Sequence, residues 1–183
     1  EFRTESGVPC GAVTGLTATM QKRIVRKMYA VPAAVSRIKE AQAKYYTVMR
    51  LALPRPVGLF VAANPSTMLN LARAADQHKE DLIRDIHDGT LSAELQLPPE
   101  LRQQIEVRLT ADPQRAKELE EVVQRTGHLY PRDAWKNKFL LGNWTGGSVG
   151  AYLRHYPRYF GDNYIRDVGL IASEGRMTIP FAN

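Results

Sequence analysis

The sequence predicts an α/β fold in which a parallel βαβ sheet carries several flanking helices, and three features predict it. Residues 57–62, Val-Gly-Leu-Phe-Val-Ala, form a short continuous apolar run of the kind that makes a buried strand. Asn64-Pro65 follows at once, and an Asn cap with Pro in the first turn starts a helix. A second apolar run, Phe139-Leu140-Leu141, ends in the Gly-rich Asn143-Trp144-Thr145-Gly146-Gly147-Ser148, then a helix pattern and a further apolar stretch. Strand, tight turn, helix and strand make a βαβ unit, whose crossover should be right-handed.

Taken in order, Ser6-Gly7-Val8-Pro9-Cys10-Gly11 reads as a loop leading into a first helix. Apolar spacing predicts helices over residues 16–29 and 34–51, separated by Pro32, which disfavours helical geometry in the residue before it. The strand at 57–62 and a helix at 65–78 come next, and the helical pattern continues over 81–87. Asp88-Gly89-Thr90-Leu91-Ser92 ends it, with Gly where a left-handed residue is required. Two helices span 98–110 and 113–125, the second opening at Asp112-Pro113 and closing at Gly127. Residues 79–128 thus form a helical segment, inserted in the sheet domain or packed on it. After the run at 139–141, a helix covers 149–159, Gly161-Asp162-Asn163 turns the chain, and a strand runs through 165–172.

Composition narrows the function classes. The chain has 183 residues, 44% of them hydrophobic, which is enough for a real core. A lone Cys10 has no disulfide partner and no metal-ligand neighbours, so a reducing, cytoplasmic setting is expected. No apolar run is long enough for a membrane span, and no membrane partner is expected. The sequence starts without Met and stops just after an apolar segment, so residues 1–183 read as part of a domain truncated at both ends. Net charge is +6, and the excess lies early: Lys22, Arg23, Arg26, Lys27, Arg37, Lys39, Lys44, Arg50 and Arg55 face only Glu40 between residues 20 and 56. This stretch reads either as the solvated faces of two amphipathic helices or as a basic nucleic-acid-binding module.

Two motifs carry chemistry. In an open α/β sheet the ligand cleft lies beyond the carboxyl ends of the strands, where helix N-termini present free amides. Thr145, Gly146, Gly147 and Ser148 stand there, with two glycines that admit a ligand to the backbone and hydroxyls on either side. A turn that merely enters the next helix has the same composition. The second motif, Ala172-Ser173-Glu174-Gly175-Arg176, follows the last strand. Glu174 offers a hard oxygen for Mg²⁺, Ser173 a donor for phosphate, and Arg176 a guanidinium for phosphate or carboxylate; a solvent-facing β-turn is the other reading.

The stretches Gly142 to Ser148, Tyr156-Pro157-Arg158-Tyr159-Phe160-Gly161-Asp162 and Arg166 to Arg176 together resemble the auxin-responsive Gretchen Hagen family of acyl acid amido synthetases. Asp85-Ile86-His87-Asp88-Gly89-Thr90-Leu91-Ser92 is similar to a family segment of pattern D-I-x-x-G-x-L-S, and Lys44-Tyr45-Tyr46 and Arg50-Leu51-Ala52-Leu53 fit more loosely. The resemblance implies the central part of an adenylate-forming domain. It implies ATP and Mg²⁺ as cofactors, and a carboxylic acid and an amine or amino acid as substrates. The implied reaction makes an acyl-adenylate and pyrophosphate, then an amide as AMP leaves. By motif, Ser173 and Glu174 match the Ser-Glu pair for ATP and Mg²⁺, and Thr145, Gly146, Gly147 and Ser148 match the turn lining the adenylate and acyl pocket. Leu170 and Ile171 replace an aromatic residue that many members place before Ala172. A Ser/Thr/Gly-rich phosphate loop and a mobile C-terminal domain lie outside the matched interval.

The sequence is therefore read as a piece of an amide-forming ligase, incomplete by itself. Glu174 and Arg176 are the candidate catalytic groups, and Thr145, Gly146, Gly147, Ser148, Ala172 and Ser173 the candidate ATP and acyl contacts. The rivals are the basic nucleic-acid module and a relative that binds nucleotide or acyl ligand without turnover. No nucleic-acid partner is expected in the leading reading; the remainder of the chain is.

Overall fold

The computed structural model describes residues 2–7, 9–10, 21–172 and 175–180. At the start, β1 (Phe2–Arg3) pairs antiparallel with β2 (Pro9–Cys10), where the sequence reads as a loop. The turn between them closes through Gly7 N–H donating to Thr4 O at 2.8 Å. The first helix, α1, is Arg23–Met28, shorter than the span read from the sequence, of which residues 16–20 lie outside the described residues.

The helix expected over 34–51 is two elements. A 3₁₀ helix, Ala33–Arg37, is followed by α2, Ala41–Ala52. Glu40 separates them: its backbone is extended at φ −73° and ψ 127°, and its carboxylate accepts the Gln42 N–H at 2.8 Å and the Ala43 N–H. Those amides, Ala43 first, hold the Glu40 carboxyl below its ordinary range. Apolar periodicity runs through this cap unchanged, which is why it does not mark the break.

Most of the remaining elements follow the predicted order, with a short helix at Pro131–Ala134 that was not expected. β3 (Leu59–Val61) leads into α3 (Pro65–Gln77), capped by Asn64 Oδ1, which accepts from Ser66 N–H at 2.9 Å. α4 (Lys79–Asp88) ends at Gly89 with φ 73°. α5 (Pro99–Glu106), α6 (Pro113–Thr126) and the short α7 (Pro131–Ala134) precede β4 (Leu140–Asn143). Where a single α-helix was expected over 149–159, a 3₁₀ helix, Gly147–His155, hands over to α8 (Tyr156–Phe160). The last strand is also divided: β5 is Tyr164–Asp167, and Gly169 at φ 77° turns the chain into β6 (Ile171–Ala172), antiparallel to β7 (Gly175–Arg176).

β3, β4 and β5 form a parallel sheet in that order, with Leu59, Leu140 and Tyr164 in one register row and Phe60, Leu141 and Ile165 in the next. The second row faces the core. Phe60 meets Trp135 and Phe160 edge-on at 6.0 and 5.9 Å, and Leu141, Phe139 and Tyr156 are buried beside them. On the first row's face Leu59 is 59% and Tyr164 68% exposed. The apolar run at 57–62 thus has one face uncovered among the described residues, whereas its composition reads as burial on both.

A buried polar network locks the helices together. Arg50, 2% exposed, donates from Nε to Thr90 O at 2.9 Å and from Nη2 to Asp85 O at 2.8 Å. It therefore does not belong to the solvated basic face that the sequence assigns it to. The Asp85 carboxylate accepts Tyr46 Oη at 2.7 Å, Thr90 Oγ1 at 2.9 Å and Ser92 N–H at 2.7 Å. Burial lowers the Arg50 pKa, while the Asp85 charge opposes that shift. This network accounts for Asp85, Thr90 and Ser92 of the D-I-x-x-G-x-L-S segment. Gly89 is required on two grounds: its positive φ, and Ala111 N, which a Cβ would meet at 2.6 Å.

Candidate functional site

Because the three central strands are parallel, their carboxyl ends share one edge. The loop after β3, the turn after β4 and the bend after β5 meet there. Main-chain bonds stitch the edge: Trp144 N–H donates to Ala63 O at 2.9 Å, and Val168 N–H to Asn143 O at 3.2 Å. Asn143 is fully buried at the end of β4; its Oδ1 accepts Tyr156 Oη at 3.2 Å, and its Nδ2 donates to Trp144 O at 2.6 Å. Desolvation raises the Tyr156 phenol pKa, so it stays a neutral donor. Tyr156 also contacts Met68 Sδ at 3.1 Å, which ties α8 to α3 and to the strand end.

The turn itself is held by Asp167, the last residue of β5. Asp167 Oδ2 accepts Thr145 N–H at 2.8 Å and Thr145 Oγ1 at 2.5 Å, and Oδ1 accepts Gly169 N–H at 2.6 Å. The Thr145 hydroxyl bond, then the Gly169 and Thr145 amides, depress the Asp167 pKa. Above the turn, Trp144 Nε1 donates to Gly169 O at 2.9 Å. Asp167 was read only as part of the resembling stretch; its partner Thr145 lies 22 residues earlier, so no local signal marks it as a clamp.

Beyond Thr145 the backbone is open. An added Cβ at Gly146 or Gly147 would meet nothing within 4 Å, and Gly147 has φ 61°. Gly150 is different: a Cβ there would stand 2.8 Å from Thr145 O, so this glycine lets the helix approach the turn. The 3₁₀ helix starts at Gly147, after the β4 strand end, with no side-chain hydrogen bond capping its first amides. Thr145, Gly146, Gly147 and Ser148 thus sit where the sequence places them, with the Thr145 hydroxyl committed to Asp167.

The second motif is placed differently from its sequence reading. The β6–β7 hairpin is not the end of a strand adjacent to β4; it is a separate two-stranded ribbon beyond the Gly169 bend. Its base returns to the edge, because Met177 N–H donates to Leu170 O at 2.9 Å and Leu170 N–H to Thr178 Oγ1 at 2.8 Å. Gly169 O receives the Trp144 indole, so both motifs join through one residue. Ala172 and Arg176 lie in this ribbon; Ser173 and Glu174 lie outside the described residues.

A cavity of about 460 Å³ opens at the opposite edge, near Arg55, Val57, Arg115, Trp135, Lys136 and Lys138. It sits at the amino ends of β3 and β4, away from the glycine turn. Among the described residues no group of His, Cys, Asp and Glu is placed to hold a metal, and no helix is long and apolar enough to cross a membrane.

The sequence matches the GH3 family N-terminal domain over residues 1–165, an interval that includes the glycine turn and stops before Asp167 and the hairpin. No curated protein matches it. Among solved structures, a GH3.15 acyl acid amido synthetase superposes with a TM-score of 0.73 at 16% identity, covering 95% of this chain and 31% of that one. AtGH3.15 acyl acid amido synthetase in complex with 2,4-DB superposes with a TM-score of 0.58 at 13% identity, covering 72% of this chain and 24% of that one. The chain thus spans about a third or less of the length of the solved structures it resembles.

Proposed function

The chain belongs to the GH3 family, and from that premise we propose that the intact protein is an ATP-dependent acyl acid amido synthetase in which the β4 turn and the β6–β7 hairpin form one wall of the adenylation site. The observation that carries the reading is the open Gly146-Gly147 backbone at the carboxyl edge of the parallel sheet, held by Asp167 and followed by a helix start. An anionic ligand fits it, since no side chain fills the space a Cβ would take and the helix amides favour negative charge.

The residues divide the work. ATP with Mg²⁺ would supply the adenylyl group that activates the carboxylic acid in the first step, with pyrophosphate leaving, and an amine would displace AMP from the acyl-adenylate in the second. Gly146 and Gly147 admit the ligand to the main chain, and Ser148 adds a hydroxyl donor. Asp167 and Trp144 hold the turn rigid, so that its amides are aimed before the ligand arrives. The family motif assigns Ser173 to phosphate and Glu174 to Mg²⁺, and one carboxylate with phosphate oxygens is a usual Mg²⁺ set. Arg176, at the base of the same hairpin, would neutralise phosphate or substrate carboxylate. A cytoplasmic location and residues 79–128 as a helical subdomain belong to the same reading.

The test is ATP–pyrophosphate exchange by the intact protein over a panel of carboxylic acids. Glu174→Ala should abolish Mg²⁺-dependent exchange while circular dichroism stays unchanged. Exchange at the unmutated rate in that variant would refute the Glu174 assignment; no exchange with any acid in the unmutated protein would favour a relative that binds without turnover.

A further inference from the structure

The outer surface made by α3, α7 and α8 gathers positive charge in a way that neither the fold nor the glycine turn explains. Arg73, Arg132 and Arg158 are exposed there, grouped around two buried tyrosines, Tyr130 and Tyr159. The Arg132 and Arg158 guanidinium carbons lie 5.7 and 5.8 Å from the Tyr130 ring centre, and those of Arg158 and Arg73 lie 5.4 and 5.9 Å from the Tyr159 ring centre. The rings meet edge-on at 4.9 Å, so the three guanidinium groups share one aromatic platform.

Hydrogen bonds fix them further. Arg158 donates from Nη2 and Nε to Tyr130 Oη at 3.1 and 3.3 Å, and Arg132 donates to Pro157 O at 3.2 Å. The carboxylates nearby are occupied: Asp133 pairs with Arg132 at 3.2 Å, and Asp76 accepts Leu129 N–H and faces His128 at 3.5 Å. His128 stacks on Tyr130 at 4.6 Å. Neither Arg73 nor Arg158 has an ion-pair partner among the described residues; Arg73 donates from Nε to Tyr159 Oη at 3.5 Å. The hydrogen bond to the Tyr130 hydroxyl, chiefly, and the Asp76 charge, least, raise the Arg158 pKa, so this guanidinium stays cationic. Three exposed guanidinium groups held on one platform match a multiply charged anion, because guanidinium forks fit phosphate oxygens.

We infer that the Arg73–Arg132–Arg158 surface is an anion site, separate from the glycine turn, that takes a small polyphosphate-type ligand. The tyrosine faces are buried in the protein, so no ring is free to stack a base, which disfavours single-stranded nucleic acid as the ligand. The inference stands on side chains outside the proposed adenylation wall.

Arginine footprinting on the intact, unmutated protein tests it. Phenylglyoxal labelling with and without inorganic tripolyphosphate, mapped by mass spectrometry, should show protection at Arg73, Arg132 and Arg158. Protection at Arg176 alone would locate the anion at the adenylation wall and overturn the inference, as would no protection anywhere. In parallel, calorimetric titration of a triple Arg→Gln variant at these positions should show at least about a tenfold weaker affinity for tripolyphosphate, the change expected when charge-assisted bonds are lost. Arg55→Gln, on the opposite edge, should leave it unchanged. Saturable binding of a short RNA oligonucleotide without binding of tripolyphosphate would reject the small anion.

Discussion

Replacing Asp85 with Ala removes the acceptor at the centre of the helical network and leaves three donors behind. Tyr46 is 3% exposed, so its hydroxyl finds no water, and an orphaned buried donor costs about 1–3 kcal/mol. Thr90 is exposed and Ser92 half-buried, so both regain water, and each lost bond costs about 1 kcal/mol. The buried Arg50 also loses the negative charge that favours its protonated form. The total is at least about 3 kcal/mol, a rise of roughly two orders of magnitude in local opening. Hydrogen exchange with mass spectrometry on the intact protein reads this as faster exchange in peptides covering 85–92, where Thr90 N–H and Ser92 N–H are bonded to Asp85. Tyr46→Phe alone should cost about 1 kcal/mol, yet in the Asp85→Ala background it should restore stability by removing the orphaned hydroxyl. A change below about threefold in Asp85→Ala, or additive effects of the two substitutions within about 0.5 kcal/mol, would refute the argument.

Gly89→Ala and Gly127→Ala make a matched pair, since both have a φ near 73–74° but only Gly89 faces backbone. Gly127→Ala should cost about 1–2 kcal/mol and Gly89→Ala clearly more, measured by the same exchange experiment; equal costs would mean the Ala111 contact relaxes freely. The Asp167 clamp has a defined pH dependence. Its folded pKa lies below the ordinary value, so the charged form is favoured in the fold. The stabilisation is complete above about pH 4 and is lost as pH falls through the still lower folded pKa. The Thr145 and Gly169 amide resonances should therefore move only below that pH, and movement between pH 5 and 7 would contradict the assigned bonds. For activity, Gly147→Val should reduce ATP–pyrophosphate exchange by about 100-fold or more through a blocked approach and a strained φ, whereas unchanged exchange would remove the turn from the site.

The α/β architecture and the place of the glycine turn after β4 were already present in the sequence. Local rules specify α3, α4 and α6, because each start and stop is written in a few adjacent residues: Asn64-Pro65, Gly89, Asp112-Pro113 and Gly127. The parallel sheet and the glycine turn at its carboxyl edge follow from strand and helix alternation. What needed the tertiary structure depends on partners far apart in the chain. Arg50 reads as one more surface cation until Asp85 and Thr90, some 35 to 40 residues away, fold over it. Asp167 becomes a clamp only once β5 lies beside β4 in a register that sets it against Asn143 and the following turn. The strand expected over 165–172 breaks at Gly169 because Trp144 bonds to its carbonyl and Thr178 crowds the place a Cβ would take, neither of which is a local signal. Sequence spacing therefore determined the capped helices and the parallel strand order, and with them the edge where the glycine turn lies. Tertiary packing decided which polar groups are spent on holding that edge, because their partners come from distant parts of the chain.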